Sequence, residues 1–366
     1  MITGNKGEWS EFYTFIKLLA DGKIYAADKD LNRNENISYK VLKILRGKGD
    51  GNDYEYIRDD DITIQDKNGD ILAELSIGEA IEITKKFYEG ISEGKTGERA
   101  FNLDFADAVL KKFHTRTLSD SSSRQTSDIR IVIRDPITLF EPLLGFSIKS
   151  FIGSKPTLFN ASKNSNLLYT ITPPISNEQI VEINNLDTYG KRISWLKENN
   201  YKLTFLKPDS PTFHANLELI DSKLPEILGQ LLLNSFYTKK KKISELADDL
   251  KTDNPCRFAL EINSNFYDYK IKRFLIDAAL GMKAGKVWTG VYDANGGYII
   301  VKKDGDLVCY HIYNWNDFQE YLLKSTKIDY PDSKPSRCDY GRILDASEVG
   351  EPEGSFIKLN FQIRFL

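Results

Sequence analysis

Apolar residues fall at helical spacing over residues 8–20 (EWSEFYTFIKLLA), where Trp9, Phe12, Phe15, Ile16 and Leu19 share one face, and Asp21-Gly22 ends the run. The period then changes. ITIQD and DILAEL alternate apolar and polar residues around Lys67-Asn68-Gly69, which predicts a hairpin with a tight turn. Helical patterns return at about 77–90 and 103–114, and Thr117–Ser127 (TLSDSSSRQTS) reads as a polar, serine-rich loop. This loop leads into DIRIVIRDPITLFEPLLGFSIKSF, which reads as an antiparallel hairpin from Asp128 to Phe151. On its first strand Ile129, Ile131 and Ile133 share a face opposite Asp128, Arg130 and Arg134; on its second, Phe146 and Ile148 oppose Ser147 and Lys149.

Beyond Tyr169 the pattern shifts. Pro173 and Pro174 precede helical stretches at about 176–185, 216–237 and 242–250. From about 264 the chain reads helix, hairpin, helix, irregular stretch and final strand. The hairpin is GGYIIVKKDGDLVCYHIY, turning at Lys303-Asp304-Gly305-Asp306. No internal repeat is visible. Two domains are expected: residues 1–172 as a catalytic core and 173–366 as a helical and β extension.

Composition narrows the classes. The 366 residues are 41% apolar and 28% charged, as in a globular protein, and no stretch is apolar enough to span a bilayer. Two glutamates stand where a secretory signal would need an apolar run, so a cytoplasmic protein is expected. Cys256, Cys309 and Cys338 form no CxxC pair, which argues against a zinc site or a disulfide framework. Net charge is −3 with a pI near 5.8. That balance does not favour nucleic acid, but it does not describe a local cleft. Lys111-Lys112, Lys239 to Lys242 and Lys302-Lys303 are either solvated surface or phosphate contacts. His114, His214 and His311 share no spacing that suggests a triad or a metal site, and Trp9, Trp195, Trp288 and Trp315 read as core or interface residues.

The Asp128–Phe151 hairpin carries the chemistry. With its loop centred near Leu139, Asp128 is expected opposite Lys149 or Ser150, so a carboxylate and an ammonium meet on the polar face. A carboxylate can hold Mg²⁺ and a lysine can orient or deprotonate water, which together suit phosphodiester hydrolysis. One carboxylate is a thin ligand set, and Glu8 and Glu11 on the first helix are further candidates.

Asp128 with Ser147-Ile148-Lys149 resembles the PD-(D/E)XK nuclease motif, and Lys6-Gly7 with Glu11 resembles the K-G-x-x-x-E opening of its first helix. The resemblance implies that Glu11 and Asp128 bind metal, with the Ile148 carbonyl as a further ligand, and that Lys149 activates water. Ser127 replaces the usual proline, and Ser147 replaces the usual second acid, as in S-x-K variants of the motif. Glu11 is the candidate substitute for that acid, ahead of Glu8 and Glu141.

Four longer blocks extend the match: GNKGEWSEFYTFIKLLADGKIYAADKDL, GFSIKSFIGSKPTLFNASKNSNLLYTI, GGYIIVKKDGDLVCYHIYN and LNFQIRF. With them the chain resembles the HpaII family of type II restriction endonucleases. This implies an α/β (α+β) fold with a PD-(D/E)XK core, a mixed sheet flanked by helices. It also implies Mg²⁺-dependent cleavage of double-stranded DNA at a short palindrome, with CCGG the family expectation. A homodimer on DNA and a cognate DNA methyltransferase in the same host are the implied partners.

Asn160, Ser162, Lys163 and Asn164 are placed either to bond phosphates or to cap the next helix. Lys327–Tyr340 (KIDYPDSKPSRCDY) is an irregular loop whose Lys334, Ser336 and Arg337 are base- or phosphate-reading types; a plain surface loop is the other reading. Arg364 fits a DNA contact or a structural ion pair. Two other function classes compete: a DNA-binding module on the same fold with catalysis impaired at Ser147, and a scaffold for carbohydrate or protein interaction. Metal-dependent plasmid cleavage separates the first from an enzyme, and DNA binding at low salt separates the second.

Overall fold

The computed structural model describes residues 2–47, 53–94, 100–120 and 127–366. Positions 121–126 of the serine-rich loop lie outside the described residues. The chain forms a mixed α/β structure of two compact units, Met1–Pro156 with Tyr292–Tyr321, and Thr157–Val291 with Leu322–Leu366. Among the described residues no helix is long and apolar enough to cross a membrane.

The first unit opens on helix α1 (Lys6–Asp21). Its start is fixed locally. Asn5 Oδ1 accepts from Gly7 N and Glu8 N, and Glu8 Oε2 accepts from Asn5 N at 2.8 Å, a reciprocal capping box. Gly22, at φ 65°, ends the helix by donating to the Leu18 carbonyl. Strands β1 (Lys23–Ala27), β2 (Arg33–Gly47), β3 (Asp53–Arg58), β4 (Ile62–Gln65) and β5 (Ile71–Leu75) follow. Helices α2 (Ile77–Glu93) and α3 (Ala106–Lys112) come next, then β6 (Ile129–Arg134) and β7 (Leu143–Ser150). The hairpin expected around Lys67-Asn68-Gly69 is β4–β5, with Gly69 at φ 88°.

These strands join a nine-stranded mixed sheet. Its order is β1, Leu307–Tyr310, Gly297–Val301, β7, β6, β2, β3, β4, β5. β1 also pairs with β2, so six of the strands form a closed circuit of pairings. Closure hides edges that would otherwise invite further pairing. Trp9, Phe12, Phe15, Ile16 and Leu19 of α1 are buried against this sheet and α2. Phe12 meets Phe87 edge-on at 5.2 Å, and Phe15 meets Tyr56 at 4.7 Å.

The second unit holds two antiparallel sheets. One orders Lys202–Pro208, Asn166–Thr172, Ser355–Asn360 and Ile343–Asp345; the other orders Thr326–Asp329, Gln362–Phe365 and Thr157–Phe159. Its helices include Asn177–Asn184, Pro211–Ile220, Leu224–Thr238, Ile243–Asp253 and Phe266–Ala279.

Three expectations need correction. The division at 172/173 does not follow the sheets. Gly297–Val301 and Leu307–Tyr310 belong to the first unit's sheet, whereas Thr157–Thr172 belongs to the second unit. Hydrogen-bond pairing, not distance along the chain, sets the boundary. The helix expected over 216–237 is two helices, because Asp221 leaves the helical conformation at φ −164° and Pro225 starts a new first turn, where its missing N–H costs nothing. The terminal LNFQIRF is also two strands. Phe361 is buried between them, and its N–H donates to the Ser165 carbonyl.

Candidate active site

The polar face of the β6–β7 hairpin forms as the alternation predicts, but in a different register. Ile129 pairs with Phe146, so Asp128, one step earlier, lies opposite Ser147 rather than Lys149 or Ser150. The turn causes the shift. Asp135 accepts from Ile137 N and Thr138 N at 2.8 and 2.9 Å, and its own N–H donates to the Phe140 carbonyl. The loop is therefore centred before Leu139, and Leu139 takes up a left-handed φ of 60°.

This register gives Asp128 specific partners. Its Oδ2 accepts from the Ser147 hydroxyl at 3.0 Å and from the Ile148 N–H at 2.6 Å. Both bonds fix its rotation. Oδ1 carries no hydrogen bond among the described residues, which leaves it available to a ligand. Ser147, where a second acid was absent, thus orients the acid that is present. Lys149, two residues along the same face, is half-buried and forms no direct ion pair among the described residues.

Glu11 approaches from α1. It is pushed up from 4.5 to about 7, chiefly by burial and then by the negative charge of Asp128. A hydrogen bond from Ser119 and the charges of Arg46 and Lys149 act against the rise. Glu11, Asp128 and Lys149 therefore lie close enough to sense one another's charge. Glu8 and Glu141 do not join them as substitutes: Glu8 caps α1, and Glu141 pairs with Arg134 at 2.5 Å near the hairpin loop.

Sequence reading missed the support behind Glu11. Arg46, 4% exposed, donates to the carbonyls of Thr117 and Leu118 and stacks over Phe12 and Phe15. Asp120 accepts from the Gly47 N–H and from Arg130 Nε, and Arg130 also forks onto Asp53 at 2.8 and 3.0 Å. Arg130, expected on an open polar face, is therefore buried in an ion-pair network. The network pins residues 117–120 and so places Ser119 against Glu11. The only signal for it was a lone arginine in the alternating run VLKILRG.

The donor set suits a hard divalent cation. Two carboxylates converge with a repulsion that a cation would relieve, and Mg²⁺ commonly takes one or two carboxylates and completes its shell with water and phosphate oxygens. Among the described residues no cluster of three or more Asp, Glu, His or Cys side chains is positioned to hold a metal.

The second unit carries the remaining candidates. Asn160, Lys163 and Asn164 are exposed and Ser162 is half-buried. Lys163–Ser165 is a one-turn 3-10 helix in which Ser162 N–H donates to Ser165 Oγ and the Ser162 carbonyl accepts from Asn360 Nδ2. The capping reading thus fits Ser162 and Ser165, while Lys163 and Asn164 face solvent. Lys334, Ser336 and Arg337 are exposed on a loop closed by Arg337, Cys338 and Asp339 N–H groups on the Lys334 carbonyl. Lys334 lies 3.8 Å from Asp332. Arg364 pairs with Asp329 at 3.1 Å, across two paired strands. His214 faces Glu218 at 3.5 Å, and in the first unit His311 is buried between Tyr39 and Tyr313.

The family model for HpaII restriction endonuclease matches residues 5–365. The chain is 43% identical, over 371 aligned positions, to the type II restriction enzyme HpaII of Haemophilus parainfluenzae, covering 100% of this chain and 99% of that relative. No solved structure matches.

Proposed function

From the premise that the chain belongs to the HpaII restriction endonuclease family, and is a type II restriction endonuclease, we propose a PD-(D/E)XK-type site that hydrolyses double-stranded DNA at CCGG with Mg²⁺. The observation that carries the reading is the convergence of Glu11, Asp128 and Lys149 on the polar edge of one hairpin.

Asp128 Oδ1 and Glu11 would hold the cation, with the Ile148 carbonyl as a further oxygen. Bound there, the cation supplies Lewis acidity toward the scissile phosphate. Ser147 and the Ile148 N–H keep Asp128 turned to the site. Lys149 places an ammonium beside the two carboxylates, where it can orient the attacking water and offset charge developing on the phosphate. Glu11 must be ionised to ligate, and the Arg46 charge and the Ser119 hydrogen bond both favour that form. Catalysis by this set addresses a phosphate and carries no sequence information. Base reading is proposed for Lys334, Ser336 and Arg337, and phosphate contacts for Asn160, Ser162, Lys163 and Asn164. A palindrome offers two equal half-sites, so two copies acting on one DNA are proposed, with a cognate methyltransferase protecting the host.

The test is digestion of a plasmid with a single CCGG site in Mg²⁺, then in EDTA, with the ends mapped. Cleavage within CCGG that disappears in EDTA is expected. Cutting that ignores the sequence or proceeds in EDTA would overturn the proposal.

A further inference from the structure

We infer that the loop from Lys283 to Val291 is a preformed contact to the DNA backbone, with Lys283 and Lys286 placed against phosphates through the buried amide of Asn216. The inference rests on the reading of the chain as a DNA-cleaving enzyme and adds a surface that the motif does not include.

After helix Phe266–Ala279 the chain runs from 280 to 291 without helix or strand. Segments of this kind are ordinarily soft. This one is held at several points. Met282 N–H donates to the Asp277 carbonyl at 2.8 Å. Asn216 Nδ2 donates to the carbonyls of Lys283 and Lys286 at 3.1 and 2.8 Å, and its Oδ1 accepts from Trp288 N–H at 2.8 Å. Asn216 is 2% exposed, and a buried amide is tolerated only when its hydrogen bonds are made. Both its N–H donors and its oxygen go to this one loop, which fixes where residues 283–288 stand.

The outward side is open and basic. Lys283, Lys286, Val287, Thr289 and Val291 are exposed, with Val287 70% and Val291 66% accessible. No Asp or Glu occurs from 278 to 291. Among the described residues neither lysine has an ion-pair partner. Some lysines that stood out in the sequence are engaged elsewhere: Lys240 pairs with Asp249 at 2.6 Å, Lys242 with Glu245 at 3.6 Å and Lys302 with Asp304 at 3.6 Å.

Gly285 ties this loop to a second candidate region. A Cβ there would lie 2.5 Å from Asn164 Nδ2, so the backbone lies directly on Asn164, beside exposed Lys163. The two segments form one basic surface within the second unit. A backbone held in place before binding need not be ordered when its lysines meet phosphates, and each phosphate neutralised releases condensed counterions.

Affinity of the full-length wild type and of a Lys283→Ala/Lys286→Ala variant should be measured on a CCGG duplex and a scrambled duplex without divalent metal, from about 50 to 200 mM KCl. The variant is expected to flatten the slope of log Kd against log salt by about 1.8, alike on both duplexes. Asn216→Ala, which removes no charge, should flatten the slope in the same direction. An unchanged slope in the lysine variant, with a wild type that binds and cuts CCGG, would overturn the inference alone. A wild type that binds neither duplex would overturn the enzymatic reading and this inference with it.

Discussion

Glu11→Gln should stabilise the metal-free protein at alkaline pH and leave it nearly unchanged in acid. The folded carboxyl is pushed up to about 7 from 4.5, first by burial and then by Asp128, so folding favours its protonated form. A raised carboxyl pKa contributes fully below the unfolded value, and the contribution is lost as pH rises from about 4.5 through about 7. Above that window the wild type carries an ionised, largely buried carboxylate at a cost of about 3 kcal/mol. Glutamine fills the same space without that charge. For 366 residues unfolding together, about 3 kcal/mol corresponds to roughly 4 °C in Tm. The assay is thermal denaturation of both proteins in EDTA, in buffers near pH 5 and pH 8.5. Adding Mg²⁺ at the higher pH should raise the Tm of the wild type and narrow the gap, since a cation neutralises the pair that glutamine has already relieved. A variant no more stable than wild type in EDTA at pH 8.5, or a gap that persists at pH 5, would refute the assigned surroundings of Glu11.

Three further outcomes are expected. Asp128→Asn and Lys149→Ala should each lower CCGG cleavage by at least a hundredfold while specific binding in EDTA stays near wild type; near-normal turnover by either would remove that residue from the site. Arg46→Met should cost about 2–4 kcal/mol in urea denaturation, because the carbonyls of Thr117 and Leu118 lose their buried donor. It should also move the Glu11 titration, read from the pH dependence of Mg²⁺-induced stabilisation, to higher pH, because the charge that favours ionised Glu11 is gone; an unmoved midpoint would show that Arg46 acts on packing alone. Arg337→Ala should weaken binding to CCGG ten- to a hundredfold, about 1–3 kcal/mol, against little change on a scrambled duplex at the same salt. Equal weakening on both would make it a backbone contact, and no change on either would take the loop out of the interface.

The sequence alone determined what rests on neighbours along the chain. The α1 apolar face and its Gly22 stop, the Lys67-Asn68-Gly69 turn and the separation of Ile129, Ile131 and Ile133 from Asp128 all follow from period and local hydrogen bonding. Strand alternation likewise puts Ser147 and Lys149 on one face of their own strand, and sets Asp128 opposite the isoleucines of its own. Tertiary structure decided the rest. The turn built on Asp135 set the register that pairs Asp128 with Ser147. The parallel insertion of Gly297–Val301 beside β7 moved a hairpin from the expected extension into the core sheet. Burial and the Arg46–Asp120–Arg130 contacts fixed the electrostatics of Glu11, and the Asn216 amide shaped a loop that is featureless as a string of residues. Local pattern records what a residue prefers; desolvation and long-range pairing depend on groups brought together only by the completed fold, and these determine how the same side chains bind and titrate.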